Sequence, residues 1–197
     1  MLHLVGDSTM EELVSALVVN GTLKGHAGCG GNEKASERPC HSYYTGTSRG
    51  VAFTFTLITE SSGWRTKYKD PQIGNTVAPW NSASLLETCT FITKVREQSS
   101  VETRHIVLFN FGLHGESNHG FFRLAYEQAL VSLQKNLGHF AGIIAVGISP
   151  SNPARKTYKG MDCRSEVNVA NAREIIECVA SRHGIPVLDR TLMQFGL

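Results

Sequence analysis

No stretch of the chain approaches the ~18 to 20 consecutive apolar residues of a membrane-spanning helix, and no basic segment followed by an apolar core opens it. The sequence as given therefore carries neither a transmembrane segment nor an export signal. Long basic runs are absent as well. The 19 Lys and Arg against 17 Asp and Glu leave a formal charge of +2, too little for a broad footprint on nucleic acid or an anionic membrane. Cysteine is sparse. Cys29, Cys40, Cys89, Cys163 and Cys178 are too few for a disulfide scaffold, their odd count leaves at least one unpaired within a monomer, and no C-x-x-C pair marks a zinc ribbon. Cys29 and Cys40 flank a Gly-rich, charged loop, which suits either a small disulfide loop in an oxidising compartment or two free thiols. Gly25, Gly28, Gly30 and Gly31 lack the Lys-Ser/Thr ending of a P-loop and the strand-to-helix setting of a dinucleotide fingerprint, so they read as a flexible loop. His114 and His119, five apart across a loop with no third ligand, make no metal site. No cofactor or metal is expected.

What is present starts at the first dozen residues. Leu2, Leu4 and Val5 read as a short buried strand, Gly6 permits a tight turn, and Met10, Leu13, Val14, Leu17 and Val18 recur with helical spacing. Ser8 then falls at or near a helix N-terminus at the carboxyl edge of a sheet. Unpaired N–H groups and the positive end of the helix dipole favour an alkoxide or a tetrahedral oxyanion there. Asp7 or Ser8 serves equally well as a plain N-cap, and position alone does not separate the two readings. Asn20-Gly21-Thr22 is an N-glycosylation sequon, relevant if the chain enters the secretory pathway.

The 197 residues fit one domain able to bury roughly 70% of the surface its unfolded form exposes. The first helix should end near Asn20-Gly21, and residues 21 to 50 read as a long irregular stretch. Val51 to Ile58 alternates over a β-prone composition and predicts a strand. Thr59 to Pro79, with Trp64 and Trp80 nearby, reads as a lid or insertion loop. Ser82 to Glu97 predicts a helix with Leu85, Leu86, Cys89, Ile92 and Val95 inward. His105 to Phe111 is an apolar strand ending in Asn110-Phe111-Gly112-Leu113-His114. Asn118 to Leu137 is a helix with Phe122, Ala125, Ala129, Leu130, Leu133 and Leu137 at helical spacing. Gly142 to Ile148 is a strand stopped by Ser149-Pro150. Ser165 to His183 is a helix ended by Gly184, and Pro186 to Asp189 is a last short strand. Alternation of strand and helix argues for an α/β fold, a parallel sheet covered on both faces with right-handed crossovers. Ligands bind such sheets outside the carboxyl ends of the strands, where Ser8, the Asn110 loop and the Ser149 loop all lie.

Gly6-Asp7-Ser8-Thr9, Asn110-Phe111-Gly112-Leu113-His114, Ser149-Pro150 and the Cys163 to Thr191 segment occur in this order on this architecture. In these features the chain resembles the GDSL/SGNH hydrolase superfamily and its PC-esterase branch of polysaccharide O-acetyltransferases and acyl-esterases. The resemblance covers nearly the whole chain and implies a three-layer α/β/α sandwich, SGNH/flavodoxin-like, with a mainly parallel central sheet. It implies Ser8 as nucleophile, with its N–H in the oxyanion hole, and Asn110 as a side-chain donor to the same oxyanion. Gly63 is the candidate for a further backbone donor. Asp7, Gly112 and His114 are the residues expected to line the substrate site, His114 beside Asn110, the alternative for His114 being a hydrogen-bonded structural histidine. It also implies a secretory-pathway lumen or extracellular location and an acylated carbohydrate or small ester as substrate. The physical logic agrees: serine acyl transfer needs a base for the Oγ proton and donors aimed at the developing oxyanion.

The base is where the sequence departs from the family. An Asp-x-x-His is expected shortly after the last strand, but no histidine follows His183, and the third residue after Asp189 is Leu192. Either the chain is a fragment, incomplete at the C-terminus, or it is a homologue without the base. His183, just before Gly184, reads as structural, its charge favourable at a helix C-terminus. Two functional classes follow. One is a serine acyl-esterase or O-acyltransferase. The other is an inactive carbohydrate-binding or interaction domain in which Trp64 and Trp80 stack on sugars. Nucleotide binding at the sheet edge has only the general α/β rule behind it.

Overall fold

The computed structural model describes residues 1–6, 10, 14, 21–27, 41–58, 85–110, 119–148 and 166–189. Seven strands form one sheet: β1 (Leu2–Gly6), β2 (Gly21–Ala27), β3 (His41–Ser48), β4 (Val51–Leu57), β5 (His105–Asn110), β6 (Ala141–Val146) and β7 (Val187–Leu188). Among the described residues three helices are bounded, α1 (Leu85–Glu97), α2 (His119–Leu137) and α3 (Glu166–Arg182). The strand order is β2-β3-β4-β1-β5-β6-β7. β4, β1, β5, β6 and β7 run parallel, and β2 and β3 are antiparallel additions at one edge. This is an α/β fold on a mixed, mainly parallel sheet. No helix among the described residues is long and apolar enough to cross a membrane.

Strand alternation divides the apolar residues between two cores. Val5, Val107, Phe109, Ile143 and Ala145 face one way, against Cys89 and Ile92 of α1, a row from Phe122 to Leu137 on α2, and Val169, Ile176 and Val179 of α3. Leu4, Phe53, Phe55, Leu108 and Val146 face the other way, against Met10 and Val14. Those two are helical, fully buried and four residues apart, as an amphipathic helix following β1 requires. All six α2 positions expected inward are buried, and Tyr126 joins them. Gly184 adopts φ 65° just beyond α3, the left-handed conformation that ends a helix.

The structure corrects two expectations. Residues 21 to 50 are not one irregular stretch, since β2 and β3 form within them, paired antiparallel from Gly21↔Ser48 to Ala27↔His41. β2 carries Gly21 and Gly25 and has little strand propensity of its own; pairing to β3, and of β3 to β4, supplies what composition does not. β3 turns into β4 through Arg49 (φ 48°) and Gly50 (φ 78°), a two-residue hairpin with positive φ at both centres, which matches the right-handed strand twist. Arg49 occupies a conformation few non-glycine residues adopt. The second correction concerns α1, where Leu86 is 67% exposed rather than inward. Thr88 takes a buried place beside Cys89 and Ile92, because the face set by Leu85, Cys89 and Ile92 passes through position 88 and not 86.

Candidate functional site

The chain leaving β1 leads to β2, β3 and β4 on one side of that strand, and the chain leaving β5 leads to β6 and β7 on the other. β1 and β5 are neighbours, so the crevice between their carboxyl ends is the topological switch point of the sheet, where open α/β sheets hold their ligands. Gly6 and Asn110 are the residues at that point. They are register partners at the last rung of the β1–β5 ladder, and Ile58 N–H donates to the Gly6 carbonyl from the β4 side at 2.8 Å.

Gly6 is required by contact rather than by backbone angle. A methyl group on its Cα would collide with the Asn110 carbonyl oxygen and sit 2.9 Å from Met10 Cβ, closer than real Cβ atoms come. Two strand ends and the start of a helix thus converge on one hydrogen atom.

Asn110 is 1% exposed. Its Nδ2 donates to the Val146 carbonyl at 2.7 Å and to the Gly147 carbonyl at 3.1 Å, which ties the exit of β5 to the exit of β6. Facing two carbonyls, this end of the amide can only be the nitrogen. Oδ1 is buried with no hydrogen-bond partner among the described residues, as is Thr56 Oγ1 on β4. Leaving a buried acceptor unmade typically costs about 1–3 kcal/mol, and such an atom calls for a functional explanation. The Gly147 N–H in turn donates to Leu188 O at 2.9 Å, extending the connection to β7. Beyond β7, Asp189 lies 3.4 Å from Arg173 of α3 in an ion pair.

Of the residues expected in the site, Asn110 is described. Ser8, Asp7, Gly63, Gly112 and His114 lie outside the described residues, as do Cys29, Cys40, Cys163, Trp64 and Trp80. His183, read as structural, has its Nε2–H 3.0 Å from Glu127 Oε1 on α2, and Arg182 Nη1 reaches the same oxygen at 3.1 Å. The hydrogen bond from His183, with the adjacent Arg182 charge, holds the Glu127 carboxyl below its ordinary range. Among the described residues no group of three His, Cys, Asp or Glu side chains is placed to hold a metal ion. Cys89 is buried, and burial pushes its thiol up to about 11, whereas Cys178 is exposed.

A second polar cluster, unanticipated from the sequence, lies toward the amino ends of the same two strands. His3 of β1 and His105 of β5 stack with ring centroids 5.2 Å apart and planes within 7°. His3 Nε2 is 2.9 Å from His105 Nδ1, and His3 Nδ1 is 2.8 Å from Thr54 Oγ1 of β4. Burial disfavours the charged form of both rings. Burial, with His105 and the Met1 ammonium adding repulsion, lowers His3 to about 3. Burial, the same ammonium and Arg96 lower His105. The signal in the sequence was phase: His3 shares the face of Val5, and His105 that of Val107 and Phe109, so each sits where an apolar side chain is due.

No protein-family model matches this chain, and no curated protein matches it.

Proposed function

We propose that the chain is a serine-dependent acyl-esterase or O-acyltransferase domain. It would act at the carboxyl edge of the sheet on an acylated carbohydrate or another hydroxyl-bearing substrate. The observation that carries this reading is the meeting of Gly6 and Asn110 at the switch point. Ser8 follows Gly6 by two residues, which bounds its Cα to within ~7 Å of the Gly6 Cα, whatever path the chain takes. Met10 returns to Gly6 only four positions on, so the serine belongs to a short link between the strand end and a buried helix residue. In this reading Ser8 and the buried Asn110 amide are the two parts that acyl transfer uses first, a nucleophile and a neutral donor for the oxyanion.

In this reading the sheet is the core of a three-layer α/β/α sandwich. Its parallel part, β4-β1-β5-β6-β7, follows the 2-1-3-4-5 order of flavodoxin-like sheets, and the two cores on its faces are the inner surfaces of the layers. The Ser8 Oγ attacks the acyl carbon, the alcohol leaves, and the acyl-enzyme passes its acyl group to water or to an acceptor hydroxyl. The GDSL/SGNH resemblance supplies the substrate class and the luminal or extracellular location of the proposal.

The test is acetyl release from p-nitrophenyl acetate, together with labelling by a fluorophosphonate probe. The expected result is turnover and a covalent adduct on Ser8, both lost in Ser8→Ala. Undiminished turnover in Ser8→Ala would overturn the proposal.

A further inference from the structure

Asn110 holds both of its amide protons on main-chain carbonyls, while the oxygen of the same amide makes no hydrogen bond among the described residues. A donor already satisfied cannot also stabilise an oxyanion, so the resting geometry and the acyl-transfer reading differ by one hydrogen bond. The two bonds are unequal: the Val146 contact is 2.7 Å and the Gly147 contact 3.1 Å. Because Oδ1 has no partner among the described residues, a turn of the amide breaks bonds to them on the nitrogen side only. An N–H donated to an anion forms a bond roughly twice as strong as one between neutral groups.

We propose that Asn110 is a switched donor. It rests on the exit of β6 and, when an oxyanion forms in acyl transfer to Ser8, redirects one amide N–H hydrogen bond from the Gly147 carbonyl to the anion while keeping the Val146 bond. This rests on the acyl-transfer reading and adds regulation to it. No covalent bond changes at Asn110; one neutral hydrogen bond is exchanged for a charge-assisted one. The Gly147 N–H, which donates to Leu188 O, shares its peptide unit with the Val146 carbonyl, so the bond Asn110 keeps is to the peptide that ties β6 to β7.

The experiment uses the full chain, labelled with ¹⁵N and ¹³C. Couplings across the hydrogen bonds from the Asn110 side-chain nitrogen to the Val146 and Gly147 carbonyl carbons are measured before and after reaction with a fluorophosphonate. In that reaction the Ser8 Oγ–P bond forms, the P–F bond breaks, fluoride leaves and the serine proton passes to buffer. A tetrahedral phosphoryl oxygen is left where the oxyanion would sit. The expected result is loss of the Gly147 coupling, retention of the Val146 coupling, and no change in Ser8→Ala exposed to the same probe. An adduct on Ser8 with both couplings intact would overturn the switch and leave the acyl-transfer reading standing. Absence of an adduct by mass spectrometry would overturn that reading and the switch with it.

Discussion

β1 and β5 carry buried polar groups at both ends, and the two ends treat them differently. Toward the amino ends, Thr54, His3 and His105 form a hydrogen-bonded chain on the face covered by α1, α2 and α3. At the carboxyl ends, on the opposite face, Gly6 leaves no room for a side chain and Asn110 keeps an oxygen with no partner among the described residues. A linked chain of polar groups locks three strands together at the cost of burying imidazoles as neutral rings. A polar group left unsatisfied at a switch point destabilises the fold, and its persistence there marks the end at which chemistry is expected. The same pair of strands serves as a clamp at one end and a site at the other.

The largest effect expected on this contrast comes from Gly6→Ala. The added methyl has no space against Asn110 and Met10 and must push a strand or the following helix aside, costing about 3 kcal/mol or more. Chemical denaturation measures it, and a loss under 1 kcal/mol would show that the carboxyl end is looser than described. Asn110→Ala comes next. It leaves the Val146 and Gly147 carbonyls without their side-chain donor, lowering stability by about 2 kcal/mol. It should also lower acetyl release by about 100-fold to 1000-fold, the usual loss for one oxyanion donor. A variant as active as the parent would reduce Asn110 to a strand-end tie.

At the amino end the lever is acid. His3 and His105 take up protons less readily folded than unfolded, so their contribution to stability is complete above the unfolded value near 6.5. It is lost as pH falls from there toward about 3, where His3 would charge in place. Each tenfold difference in proton affinity is worth about 1.4 kcal/mol, so denaturation midpoints should drop steadily over that window. His3→Gln should flatten the decline, and an equally steep profile in that variant would assign the acid sensitivity elsewhere. The smallest effect is that of Thr54→Val, which keeps the shape and removes the hydroxyl from His3. A loss of about 1 kcal/mol in denaturant, with acetyl release unchanged, would separate the clamp from the site.

The parallel core was legible because its periodicity is clean. The apolar spacing of Phe122, Ala125, Ala129, Leu130, Leu133 and Leu137 leaves one helix face to bury, and the runs at Leu4, Val107 and Ile143 admit strands buried on both sides. Asn110 was legible as the polar residue that ends such a run. β2 and β3 were not. Their glycines, serines and histidines carry the composition of a loop, and the feature that organises them is a hairpin at Arg49-Gly50 that joins β3 to a strand already in the sheet. Nor was the His3–Thr54–His105 chain. Its members lie 51 and 102 positions apart, beyond any local pattern, and only the strand register brings them together.

The central place of β1 also sets an order of events during synthesis. Leu2–Gly6 is made before both of its partners, Phe53–Leu57 on one side and Ile106–Asn110 on the other. At ribosomal rates of about 5–20 residues per second, the ~100 residues separating its second partner take roughly 5–20 s to appear. Phe53–Leu57 appears about halfway through, and the edge of the strand that takes Ile106–Asn110 stays open for the whole interval. The nascent chain is then at its most exposed to chaperones and to its own copies on adjacent ribosomes, and long-range parallel pairing of this kind closes slowly.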